Sequence, residues 1–127
     1  MIDPSVKDLA RGKNFAALTT LFGDGQPQTQ IMWVDADDEH VLINTEVHRQ
    51  KFRNVERDPR ATVTIFDATN PYHYAEVRGR VVETVRGDAA RAHIDALSAK
   101  YTGAPYANPI QSERVILKIA PDRQRTQ

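Results

Sequence analysis

The densest chemistry in this chain lies in the run NTEVHRQKFRNVERDPR, from Asn44 to Arg60. Between Arg49 and Arg60, five basic residues (Arg49, Lys51, Arg53, Arg57, Arg60) stand against two acidic ones (Glu56, Asp58), in a protein whose Lys+Arg and Asp+Glu both number 17. A neutral chain with one basic segment points to a local anion site, not to a nucleic-acid or membrane surface. Arg49 and Lys51 fall where an extended segment runs into a helix, so free backbone N–H groups and the positive end of the helix dipole reinforce them. Arg49 offers an oxyanion a planar fork and Lys51 a point charge. Asn44, Thr45 and Asn54 place uncharged donors beside them. The competing reading is that these charges only solvate one face of an amphipathic helix. Arg53 and Arg57, spaced i,i+4, are assigned to that face, whereas Arg49 and Lys51, sharing one side of extended chain ahead of the helix, are less easily explained by solvation.

Other reactive patterns are missing. Gly23 and Gly25 lie in a turn with no third glycine at the required spacing, so neither the dinucleotide fingerprint nor the Walker phosphate loop is present. Ser5, Ser98 and Ser112 sit in no nucleophile-elbow context, there is no cysteine, and His40, His48, His73 and His93 show no i,i+4 pairing. Each histidine reads as solvated or half-buried. A protein without a nucleophile, a metal cluster or paired carboxylates must take its reactivity from a cofactor if it is an enzyme.

The elements that would position the basic segment follow from periodicity and turn residues. Asp3-Pro4 starts a short helix, with Asp3 as N-cap, whose apolar face is Val6, Leu9 and Ala10 and which Gly12 ends. FAALTTLF (Phe15 to Phe22) and QTQIMWV read as strands joined by the turn GDGQP, and DADDE (Asp35 to Glu39) reads as a turn before the strand His40 to Thr45. Phe52 and Val55 mark a helix from Arg49 to Asp58, stopped by Asp58-Pro59. Arg60 to Ala68 and His73 to Val85 are strands, the second with Gly79 suited to a bulge. Asp88 to Tyr101 has helical spacing, TGAPYANP is a loop, and Arg114 to Ile119 is a last strand. Six strands, mostly joined by short turns and without βαβ alternation, imply a mainly β fold: one antiparallel barrel domain over residues 1–127.

With 127 residues, 40% hydrophobic and 27% charged, the composition suits one packed core. No apolar run approaches the ~18 residues of a membrane span. Asp3 and Asp8 interrupt any export-signal pattern, so a cytoplasmic location is expected.

The series Gly25-x-Pro27, the Trp33 strand, the acidic turn, Asn44-Thr45, Arg49-x-Lys51-x-x-Asn54, Asp58-Pro59-Arg60, then NPYHYAEVRGRVVE and RVILKI resembles the split β-barrel proteins of the pyridoxamine 5'-phosphate oxidase-like family. Within it, the chain is similar to the short actinobacterial branch that uses the deazaflavin coenzyme F-420. The resemblance runs from Phe15 to Ile119 and implies a homodimer with two cofactor clefts at the subunit interface. It implies that Arg49 and Lys51 bind the coenzyme phosphate, with Asn44, Thr45 and Asn54 close by. Pro27, Gln28 and Gln30 would border the deazaflavin ring, and Tyr72 and Tyr74 would come from the partner chain to line the substrate space. A deazaflavin carries hydride, so the implied activity is hydride transfer to an unsaturated organic acceptor such as a conjugated enone or a tetrapyrrole, with the protein supplying binding, orientation and water exclusion. His48 and Tyr74 are proton-donor candidates by type, and solvent is equally suited. The alternatives are an FMN-dependent oxidoreductase on the same barrel and a non-catalytic carrier of the coenzyme or a haem-like ligand. The loop TGAPYANPIQ departs from many relatives and shapes the expected substrate mouth.

A dimer is also expected on physical grounds, because Ile31, Trp33, Val63 and Ile65 lie on alternating strands where one face must find cover.

Overall fold

The computed structural model describes residues 1–127. In chain order the elements are α1 (Pro4–Arg11), β1 (Phe15–Leu21), β2 (Pro27–Met32), β3 (Asp35–Ala36), β4 (Val41–Glu46), α2 (Gln50–Arg57), β5 (Arg60–Phe66), β6 (Tyr74–Arg86), α3 (Asp88–Thr102) and β7 (Arg114–Thr126). All strand pairings are antiparallel, and the sheet order is β2-β1-β5-β6-β7-β4-β3. The two edge strands, β2 and β3, are separated in sequence only by Trp33 and Val34. A seven-stranded sheet whose edges are tied that closely has to curl until they meet, which makes a barrel split at the β2–β3 junction.

Strict alternation builds the interior. Ala16 and Leu18 of β1, Val63 and Ile65 of β5, Ala75 and Val77 of β6, and Leu117 and Ile119 of β7 all point into one core. Val6, Leu9 and Ala10 of α1 join it, as do Phe52 and Val55 of α2. Burying each such aliphatic side chain contributes about 1.5–3 kcal/mol. α3 packs on β6, β7 and β4 outside this core and brings a smaller cluster of its own, Ile94, Leu97 and Tyr101, with Phe15, Trp33 and Tyr106 against it.

The expected barrel is present with seven strands, not six. Asp35 and Ala36 belong to a two-residue strand paired with Leu42 and Val41, although their acidic neighbours mark a turn. Ala36 is buried, and Arg11 Nε donates to its carbonyl at 3.0 Å, so packing overrides the local turn signal. The last strand also runs on past Ile119 to Thr126, because Pro121 sits where the ladder is already irregular: Arg78 pairs with Arg123 and Gly79 with Pro121, leaving Asp122 as an extra residue. The bulge expected near Gly79 is there. A Cβ on Gly79 would lie 2.1 Å from the Ala120 carbonyl oxygen, so only glycine fits. Asp3 occupies the N-cap position of α1 as expected, but its side chain makes no capping hydrogen bond.

Of the four side chains expected on an uncovered face, Val63 and Ile65 are instead fully buried in the barrel. Their strand alternation is as read, and the face is the opposite one. Trp33 is half-buried against α3, and Ile31 is 62% exposed.

Candidate functional site

Between the end of β2, the β4–α2 corner and α3 lies an open cleft of about 290 Å³. One part of its lining is polar: Asn44, Thr45 and Glu46 from β4, Arg49 and Lys51 from the α2 start, and Arg114 from β7. The other part is apolar and aromatic: Ile31, Met32 and Trp33 from β2 onward, Ile94 and Leu97 from α3, and Tyr106 from the following loop, with Asn108 beside it.

Arg49 sits at the N-cap of α2 in extended conformation, which ends β4's excursion and turns the chain into the helix. The N–H groups of Gln50 and Lys51 find no backbone acceptor, as expected in the first turn of a helix. Lys51 then falls on the inward face, three and four residues from Asn54 and Val55, and is buried. Burial, then repulsion from Arg49 and Arg114, lowers its ammonium to about 8. Arg53 and Arg57 are exposed, on the solvated face assigned to them.

Behind the cleft runs a continuous polar chain. Asn44 Nδ2 donates to the Ala90 carbonyl at 3.0 Å and lies 3.1 Å from His93 Nδ1, while its Oδ1 accepts from Arg114 Nε at 2.8 Å. Because an amide nitrogen only donates, His93 Nδ1 must be the acceptor and the proton belongs on Nε2, which is 3.4 Å from Asp35 Oδ2. Arg114 Nη1 is 3.6 Å from Glu46 Oε2, and its guanidinium lies 5.2 Å from the centre of the Tyr106 ring. Glu46 Oε1 accepts from the N–H groups of Gln111 and Ser112 at 2.8 and 2.7 Å. Burial raises the Glu46 carboxyl, but these N–H groups and Arg114 outweigh it and leave the group below its ordinary value. Glu46 therefore fastens the loop before β7 to β4 and neutralises Arg114 at the same time.

The aromatic wall is fixed from α3. Tyr101 stacks on Trp33 at 5.0 Å between centroids with planes 5° apart, and Tyr106 meets Trp33 edge-on at 6.3 Å. The Tyr101 hydroxyl donates to the Asn14 carbonyl and accepts from Val34 N–H at 3.1 Å. Lys100 Nζ donates to the Val34 and Ala10 carbonyls at 2.6 and 3.0 Å.

Of the residues expected at the site, Asn44, Thr45, Arg49 and Lys51 come together on the cleft. Asn54, expected beside the anion, is fully buried away from it: its Nδ2 donates to Thr20 Oγ1 at 3.0 Å and Gln28 Oε1 at 3.2 Å, and its Oδ1 accepts from Gln50. It ties α2 to the β1–β2 hairpin. Gln28 and Gln30 share the half-buried face of β2 with Met32, and Pro27 is exposed at the strand's start; within one chain none of the three lines the cleft. Tyr72 is 81% exposed in the turn before β6, and Tyr74 is half-buried with its hydroxyl 3.3 Å from Gln127 Oε1; in the same chain both lie off the cleft. His48 is exposed, with Nδ1 2.6 Å from Ser112 Oγ, and does not line the cleft. The residues that sequence reasoning did not single out are Glu46, Arg114 and Tyr106. For Tyr106 the signal was the proline-broken loop itself, which does form part of the cleft wall.

The residues present suit a ligand with a planar ring and an oxyanion. Three cations face the cleft against one carboxylate, and an aromatic and aliphatic wall lies alongside them.

The family model described as pyridoxamine 5'-phosphate oxidase matches residues 2–127. A solved structure described as an F420 reductase superposes with a TM-score of 0.84 at 30% identity, over 99% of this chain and all of its own. A conserved hypothetical protein from Mycobacterium tuberculosis matches with a TM-score of 0.74 at 26% identity, over 99% of this chain and 84% of its own. A pyridoxamine 5'-phosphate oxidase-related, FMN-binding protein from Nostoc punctiforme shares the fold, with a TM-score of 0.63 at 16% identity over 88% of this chain and 72% of its own.

Proposed function

The chain belongs to the pyridoxamine 5'-phosphate oxidase family, and we propose that it is an oxidoreductase that binds the deazaflavin coenzyme F-420 in this cleft and transfers hydride between it and an unsaturated organic substrate. The observation that carries the reading is the pairing, in one cleft, of a cation cluster (Arg49, Lys51, Arg114) with a wall built on Trp33 and Tyr106. The choice of the deazaflavin over FMN is supported by the 30% identical relative described as an F420 reductase. When bound, the coenzyme supplies the hydride chemistry.

The chain's own residues bind and orient. Arg49 and Lys51 hold the phosphate end, and the Trp33 side of the cleft receives the ring. Ile94, Leu97 and Tyr106 exclude water from that side. Neither His48 nor Tyr74 lines the cleft of its own chain, so the proton comes in this reading from solvent or from Tyr74 of the second copy.

The working unit in this reading is a homodimer. Ile31 is 62% exposed and lines the cleft, so a second barrel seated on the outer face of β2 would wall the cleft as well as cover the apolar side chain. The exposed Tyr72, with Tyr74, would then be available to the partner's cleft, and Pro27, Gln28 and Gln30, which lie off the cleft within their own chain, would border the ring only across the same interface. Light scattering of this assembly should give about 28 kDa, twice the 14.3 kDa chain, and a persistent 14.3 kDa species that still binds the coenzyme tightly would remove the two-chain cleft.

The test is oxidation of the reduced coenzyme by the purified protein with a panel of conjugated enones and tetrapyrroles. Acceptor-dependent turnover supports the oxidoreductase. Tight binding of the reduced coenzyme with no turnover on any acceptor points to a carrier, and tight FMN binding without deazaflavin binding points to the flavin alternative.

A further inference from the structure

Arg114 is unusual for a charged residue at the start of a strand: it is 8% exposed, yet only one carboxylate, Glu46, lies beside it. Its Nε is spent on Asn44, whose orientation is forced because the same side chain must donate to the Ala90 carbonyl. Asn44 and Glu46 thus brace the guanidinium from behind. Arg114 Nη1 stands 3.6 Å from Glu46 Oε2, and the guanidinium lies beside Tyr106, 5.2 Å from the ring centre, on the cleft that both residues line.

The charge arrangement is costly without a ligand. Arg49 and Arg114 both press on the buried ammonium of Lys51, which has no carboxylate of its own, and an apolar side chain in place of Lys51 would cost the ligand-free protein less. An oxyanion between the three would relieve that repulsion.

We propose that Arg114 is a third oxyanion-binding residue of the cleft, braced by Asn44 and Glu46 so that it and the Arg49–Lys51 pair close on one phosphate group. Only the source of that phosphate, the coenzyme, rests on the function proposed above. Arg114 supplies the planar fork, and the brace fixes the direction of approach before the ligand arrives.

The experiment titrates the wild type, Arg114→Gln and Arg114→Lys with inorganic phosphate at constant ionic strength. It then compares coenzyme F-420 and FMN with the same ring and ribityl chain lacking phosphate. Arg114→Gln is expected to weaken phosphate and both phosphorylated ligands by about 10- to 100-fold, the range for a hydrogen bond to a charged group, and to leave the phosphate-free ligands unchanged. Arg114→Lys keeps the charge and loses the fork, so it retains the fold and recovers only part of the affinity. If Arg114→Gln does not fold, Arg114→Lys decides: phosphate affinity equal to the wild type overturns the proposal. Equal loss for phosphorylated and phosphate-free ligands also overturns it, since Arg114 is then only scaffold. Phosphate binding that depends on Arg114, in a protein that takes neither flavin nor deazaflavin, upholds the proposal and refutes the cofactor reading instead.

Discussion

Asn44 and Arg114, 70 residues apart in sequence, meet at 2.8 Å, and this bond orders the polar floor of the cleft. The amide oxygen of Asn44 takes Arg114 Nε, its nitrogen takes the Ala90 carbonyl and His93, and α3 is thereby held to β4 and β7. Replacing Asn44 with Leu leaves His93 Nδ1 and Arg114 Nε without this partner, and takes from the Ala90 carbonyl the bond it accepts besides its helical one. Urea denaturation should show a loss of about 2–3 kcal/mol, near the cost of leaving a buried polar group unpaired. A loss under about 0.5 kcal/mol would mean that the floor is not a coupled unit.

Lys51 gives the cleft a pH signature. Its folded-state value, about 8, lies below the 10.5 of the unfolded chain, so the unfolded state binds more protons between those values. The charged lysine therefore costs stability below pH about 8, and that cost fades as pH rises through 8 toward 10.5. An oxyanion favours the charged form, so binding takes up a proton near pH 8, and affinity for the phosphorylated coenzyme should be flat below that value and fall above it. Lys51→Met should abolish this pH dependence, weaken binding by about 10- to 100-fold, and leave the ligand-free protein as stable or more so at pH 7. Calorimetry in two buffers of different ionisation enthalpy reads the proton uptake directly.

Tyr101 anchors the aromatic wall. Tyr101→Phe preserves the stack on Trp33 but strips the Val34 N–H of its acceptor, which should cost about 1–3 kcal/mol. Trp33 is the only tryptophan in the chain, so its fluorescence anisotropy reports whether the wall has loosened.

Gly79→Ala should be the most damaging small substitution in the barrel. The new methyl would meet the Ala120 carbonyl 2.1 Å away, and the bulged β6–β7 ladder would have to move apart, at a cost on the order of 3 kcal/mol. Thermal melting checks this, and a melting temperature within a degree or two of the wild type would show that the bulge is free to slide.

The barrel was legible where local signals agree. The GDGQP turn between two alternating runs gives the β1–β2 hairpin, and Gly25 does adopt positive φ, at 88°. The basic corner was legible too, because Arg49 and Lys51 sit at a strand-to-helix junction that sequence alone marks. Arg114 was not. Its role depends on β4 and β7 pairing with Glu46 opposite Arg114, a register set by long-range packing that leaves no mark on either segment. Asn54 misled for the converse reason: its type suits an anion site, but helical periodicity turns it inward with Val55, to Thr20 and Gln28. The Asp35–Ala36 strand was hidden by acidic composition that reads as a turn until β4 pairs with it.

The oxidoreductase reading depends on binding of a phosphorylated deazaflavin in the Arg49–Lys51–Arg114 cleft. Its most direct test is fluorescence titration of the purified protein with coenzyme F-420, in the wild type and in Arg49→Ala. Saturable binding at one site per chain is expected, weakened in Arg49→Ala by about 10-fold or more and less so as salt rises. Binding of equal strength in the wild type and Arg49→Ala, or no saturation in either, would contradict it.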